Sequence, residues 1–131
     1  MRVLFSLGLM LALLLPGCGG ESYSSGASAA HPELLGYRSF TVDKWAAAGQ
    51  VERGEMVASY LALYPPAGMT RGQVTALLGK PTGYYDHDEN FAYVVGPTAV
   101  KSPYAAGYLL VFLTDKDSGI VSRTIFVPDL F

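Results

Sequence analysis

Hydrophobic and polar positions divide the chain into stretches of different character. Val3 to Leu15 is an apolar run interrupted only by Ser6 and Gly8, and Gly19 to Ala30 (GGESYSSGASAA) is small and polar. Helical periodicity follows. In ERGEMVASYLALY, Met56, Val57, Tyr60, Leu61 and Tyr64 recur at the spacing of one helix face. Glu52 and Glu55 complement the positive end of that helix's dipole. Pro65-Pro66 ends it, because proline lacks an amide donor and restricts the residue before it. Upstream, DKWAAAG reads as a short opening turn interrupted by Gly49. From residue 91 the period changes. Phe91–Gly96, Gly107–Thr114 and Ile120–Val127 are rich in β-branched and aromatic residues and predict strands. Asp115–Gly119 (DKDSG) predicts a hairpin turn, and Pro97–Ala106 is a longer connection. Helices followed by a run of strands predict an α+β fold, with two helices packed on one face of a three-stranded antiparallel sheet. In the middle strand Tyr108, Leu110 and Phe112 point one way and Leu109, Val111 and Leu113 the other, so both faces are apolar. The helices cover one face. The other calls for cover from the N-terminal segment or a partner.

Between helix and strands lies GMTRGQVTALLGKP, Gly68 to Pro81, in which each position has a helix-building role. Thr70 is the N-cap and Gln73 completes a capping box, while Met69 and Val74 have the spacing of a hydrophobic staple. Val74, Leu77 and Leu78 form the buried stripe. Gly79 suits a left-handed position after the helix, with Pro81 as a stop. Gly72 costs about 1 kcal/mol relative to alanine within a helix, which points to close packing or to an unconstrained solvent-facing site. A phosphate-binding loop is excluded. Its pattern needs glycine where Val74 stands and Ser or Thr where Pro81 stands, and it precedes a helix rather than ending one.

The N-terminus changes the picture. One positive charge at Arg2, the apolar run and small residues at its end form the pattern of a secretory signal peptide over residues 1–17. A spanning helix needs about 20 apolar residues. Cys18 is the only cysteine, so no internal disulfide is available. Leu15-Pro16-Gly17-Cys18 resembles the lipobox of bacterial lipoproteins. That resemblance implies a diacylglyceryl group on the Cys18 sulfur, removal of residues 1–17 and acylation of the new N-terminus. Since each buried CH₂ contributes about 0.8 kcal/mol, such chains hold a protein at a membrane durably. Gly19, where aspartate would favour inner-membrane retention, directs the expectation to the outer membrane, with the protein facing the periplasm. Residues 18–36 are then the lipidated cysteine and a flexible tether, and residues 37–131 the folded domain. Removing residues 1–17 takes away Arg2 alone among the charged residues and leaves a net charge of −3. An acidic chain without a basic stretch argues against nucleic acid and against electrostatic binding to anionic lipid.

Gly68-Met69-Thr70 opening a helix, then Gln73-Val74, then Leu78-Gly79 and Pro81, resembles the BamE-like (SmpA/OmlA) family of small lipoproteins. The likeness runs from about Met56 to Val127, with the lipobox as a second match. It implies a lipobox, a tether, two helices and a three-stranded antiparallel sheet. It also implies a non-enzymatic role supporting outer-membrane protein assembly or envelope integrity, with the β-barrel assembly machinery as partner. The same helix–helix–three-strand unit is similar to β-lactamase-inhibitor-like proteins, so a periplasmic inhibitor or small-ligand sensor is the alternative. This chain carries a longer segment, residues 31–54, before the main helix.

Candidate chemistry is sparse. Asp86, His87, Asp88 and Glu89 offer metal-ligand atom types, but neighbouring residues on an extended strand point to alternate sides and His31 is the only other histidine. A solvated acidic loop is the plainer reading, so no metal and no cofactor beyond the lipid is expected. DKDSG lacks the remainder of a calcium loop. No nucleophile has an evident base, which argues against an enzyme. Large aromatics are enriched at interaction hot spots, making Tyr84, Tyr85, Tyr93, Tyr104 and Tyr108 the candidate contact surface.

Overall fold

Side-chain caps set the helix boundaries in a computed structural model that describes residues 31–130. Cys18, the apolar run and the tether lie outside the described residues. Thr41 Oγ1 accepts from Lys44 N at 3.0 Å and starts helix α1 (Val42–Ala47). Gly49 starts α2 (Gln50–Leu63), its amide donating to the Glu52 carboxylate at 3.1 Å. DKWAAAG is therefore part of a separate capped helix, since the cap that defines it lies just upstream at Thr41. Met56, Val57 and Tyr60 are buried as the periodicity predicts, Leu61 is half-buried and Tyr64 is exposed.

Helix α3 (Arg71–Leu78) carries the expected capping box in both directions. Thr70 Oγ1 accepts from Gln73 N at 3.2 Å, and Gln73 Oε1 accepts from Thr70 N at 2.9 Å. Val74 and Leu78 are buried, with Met69 and Leu77 packed partly against them. Gly79 has φ 81 and ψ −165. That is a positive φ reserved for glycine, but in its extended region rather than the expected left-handed helical one, so the chain leaves α3 straight toward the sheet. Gly72 is exposed, and a Cβ there would meet only Thr70 Oγ1 at 3.8 Å, so close packing does not explain it.

The sheet has four strands in the order β1-β2-β3-β4, antiparallel throughout: β1 (Gly83–Tyr85), β2 (His87–Val95), β3 (Tyr108–Thr114) and β4 (Val121–Val127). With three α-helices and a 3-10 turn at Pro32–Leu35, the α+β class holds, while the three-strand, two-helix arrangement is corrected. The extra strand lies just before Asp86–Glu89, and that acidic stretch supplies its turn and the first residues of β2 rather than a loop. Asp86 adopts φ 67 and closes a tight hairpin in which Tyr85 faces His87. A polar hairpin tip exposed on both faces has no apolar alternation to reveal it. The DKDSG turn forms as predicted, with Asp115 N donating to Ile120 O at 2.9 Å and Gly119 at φ 73. The Ser118 amide donates to Asp115 Oδ2 at 2.7 Å and holds that exposed carboxyl below the usual range.

Phe91, Tyr93, Val95, Leu110, Phe112, Val121 and Phe126 face the helices and join Trp45, Met56, Val57, Tyr60, Val74 and Leu78 in the main core. Phe91 stacks on Phe112 at 5.0 Å, and Tyr93 stands edge-on to the same ring at 5.8 Å. Helix α2 approaches the end of β2 so closely that a Cβ on Gly54 would lie 2.8 Å from the Gly96 backbone. Upstream, Leu35 packs against the core and the Arg38 amide donates to Glu55 O at 2.9 Å. Packing against the core is therefore already present at Leu35.

Candidate functional site

The sheet face opposite the helices has a buried centre and a half-buried rim. Its centre is a small cluster of Ala92, Leu109 and Val111 with Tyr85, Val94, Ala105, Leu113, Ile125 and Val127 around it. Cover comes in part from the 97–106 connection, which brings Ala105 into the cluster and Tyr104 against Tyr85 at 5.2 Å. Gln50 fixes both ends of that connection. Its Nε2 donates to Gly96 O at 3.0 Å and to Ala106 O at 2.8 Å. Gly107, at φ 135, donates to Val100 O at 2.6 Å.

The five candidate tyrosines separate into two groups. Tyr84, on the edge strand β1, is 57% exposed and, paired with Phe91, lies on the helix side of that edge, whereas Tyr104 is 47% exposed with Tyr85 half-buried beside it on the other face. Tyr93 must be withdrawn from the contact surface. The pleat turns it toward the helices, where it is fully buried and its hydroxyl donates to Gly79 O at 2.6 Å. Tyr108 also belongs to the helix side, half-buried and edge-on to Phe126 at 6.2 Å. Burial pushes the hydroxyl of Tyr93, and that of Tyr60, above the usual tyrosine range.

The GMT segment has a second role besides capping. Gly68 N donates to Val121 O and Val121 N to Met69 O, both at 2.8 Å, so the motif adds a rung to the outer edge of β4. Two groups converge on the carboxyl end of α3, whose last carbonyls have no partner within the helix. Trp45 Nε1 donates to Leu78 O at 2.9 Å, and Tyr93 supplies the bond to Gly79 O. Arg53 lies 5.0 Å over the Trp45 ring and donates to Trp45 O at 2.9 Å. Arg71 lies 5.0 Å over Phe91. Gln50 and Trp45 were not legible as site residues, because their partners lie 33 to 56 positions away.

His87 Nε2 lies 3.5 Å from Asp86 Oδ2, both side chains largely exposed. Among the described residues no group of three or more His, Cys, Asp or Glu gathers as metal ligands. Depressions of about 270 and 360 Å³ lie in the helical layer, the larger between α1 and α3 beside Val42, Arg53, Leu77 and Lys80. No described helix is long and apolar enough to cross a membrane. No family profile, curated protein or solved structure matches the chain.

Proposed function

We propose that this chain is a lipid-anchored, non-enzymatic protein-interaction module of a bacterial envelope, in the manner of the BamE-like lipoproteins. Cys18 carries the lipid, the outer membrane holds it, and the domain faces the periplasm. There it supports outer-membrane protein assembly or envelope integrity. The observation that supports the reading best is the aromatic group at one edge of the sheet. Tyr85 and Tyr104 pack together on the face away from the helices, and Tyr84 stands exposed on the edge strand opposite Phe91. All three rings lie outside the main core, and such rings dominate contact energetics in protein interfaces. The partner is an envelope protein, and the β-barrel assembly machinery is the first to test.

A photoreactive side chain at Tyr84 in living cells tests this reading. A discrete adduct identified as an envelope protein is expected. Adducts with lipid alone, or none, would sink it. Cys18→Ser should move the chain out of the membrane fraction; a variant that stays there contradicts the anchor.

A further inference from the structure

The first described residues lead into a 3-10 turn packed beside the first half of α2, and exposed apolar side chains occur on both segments. Leu34 is 56% exposed, Tyr37 82% and Val51 49%. Leu35 Cδ1 lies 3.6 Å from the position of a Cβ on Gly54. Gly36 lies against the Glu55 side chain, and Arg38 pairs with Glu55 at 2.8 Å. Val51 is three residues before Gly54 and four before Glu55, so it stands on the same helix face. Leu34, Tyr37 and Val51 therefore belong to the flank of the molecule from which the chain leads back to Cys18. Gly96 and Tyr108 mark this end of the sheet, since a Cβ on Gly96 would lie 3.3 Å from Tyr108 Cδ2. Strand β3 runs from Tyr108 to Thr114, carrying the 115–119 turn about 20 Å away to the opposite end.

We infer that this flank rests on the bilayer that holds the Cys18 lipid, with Leu34, Tyr37 and Val51 in the headgroup region and the 115–119 turn directed away. The inference rests on the lipid-anchor reading. Geometry favours it over a freely tumbling domain. A Gly/Ser-rich connection of the length from Cys18 to His31 has a mean reach of about 20 Å. A domain of about 100 residues is roughly 30 Å across. Because that mean reach is below the width of the body, the flank that receives the tether lies nearer the membrane on average than the far end does. Tyrosine suits the interface because its ring is apolar and its tip polar. Charge contributes little here. Arg38 is occupied by Glu55, and the mature chain is acidic.

The full lipidated chain in phosphatidylcholine vesicles gives the test. Leu34→Cys, Tyr37→Cys, Val51→Cys and Lys116→Cys each introduce one spin-label site, because acylation occupies Cys18. The ratio of oxygen to water-soluble nickel-chelate accessibility should be severalfold higher at positions 34, 37 and 51 than at 116. Raised salt should leave it unchanged. Equal ratios at all four positions on an acylated chain overturn the orientation alone. A mass showing Cys18 unmodified in membrane-derived protein overturns the anchor reading, and the orientation with it.

Discussion

The two faces of the sheet are built from different materials. The helix side is aromatic, with Phe91, Tyr93 and Phe112 stacked and edge-packed among themselves and against Trp45 and Tyr60. The opposite side is aliphatic and small at its centre, Ala92, Leu109 and Val111, with a partly exposed rim. Three helices cover the first side, while part of a connection tied through Gln50 helps cover the second. One face makes the fold. The other is thinly covered and borders the aromatic group that remains outside the main core.

That contrast can be broken by substitution. Phe112→Ala should cost about 3–5 kcal/mol in urea unfolding, whereas Ile125→Ala on the opposite rim should cost about 1–2 kcal/mol. Comparable losses at both positions would erase the distinction. Gln50→Ala removes both bonds that hold the connection. About 1–2 kcal/mol of stability should disappear, and the Gly107 amide should exchange faster while amides of β3 facing β2 do not.

Within the aromatic core a finer comparison is available. Tyr93 and Tyr60 are both fully buried, yet the Tyr93 hydroxyl has a partner and the Tyr60 hydroxyl has none among the described residues. Tyr93→Phe should cost about 0.5–1.5 kcal/mol, while Tyr60→Phe should be neutral or stabilising, because it deletes an unsatisfied buried group. Both hydroxyls have folded-state pKa values raised by burial. Their contribution is therefore complete below the unfolded value of about 10 and is lost as pH rises above it, where the unfolded chain ionises first. Thermal melts should fall steeply above that pH, and the double Phe variant should flatten the slope.

How far the sequence revealed this depended on the range of each interaction. Helix α3 was legible almost residue by residue, because Thr70, Gln73, Val74 and Leu78 act within one short segment. The strands from Phe91 onward and the DKDSG turn were legible for the same reason. The pleat showed that Leu109 and Leu110 point apart, but local periodicity does not say which of two apolar faces meets the helices. That ambiguity let Tyr93 and Tyr108 stand beside Tyr84 and Tyr104 as contact residues. Strand β1 was hidden by its polar hairpin. The latch by Gln50, the Trp45 bond to Leu78 O and the Gly54–Gly96 approach join distant positions, and no pattern near any of them announces its partner.

The central claim is that the helix side carries stability and the aromatic edge carries contact. It is tested most directly by measuring both properties on one variant, Tyr104→Ala, with the photoreactive group at Tyr84. The account predicts unfolding within about 0.5 kcal/mol of the parent chain, as for most surface changes, together with loss of the adduct to the envelope protein. A variant that keeps the adduct at parental yield, or that loses it only by unfolding, would contradict the claim.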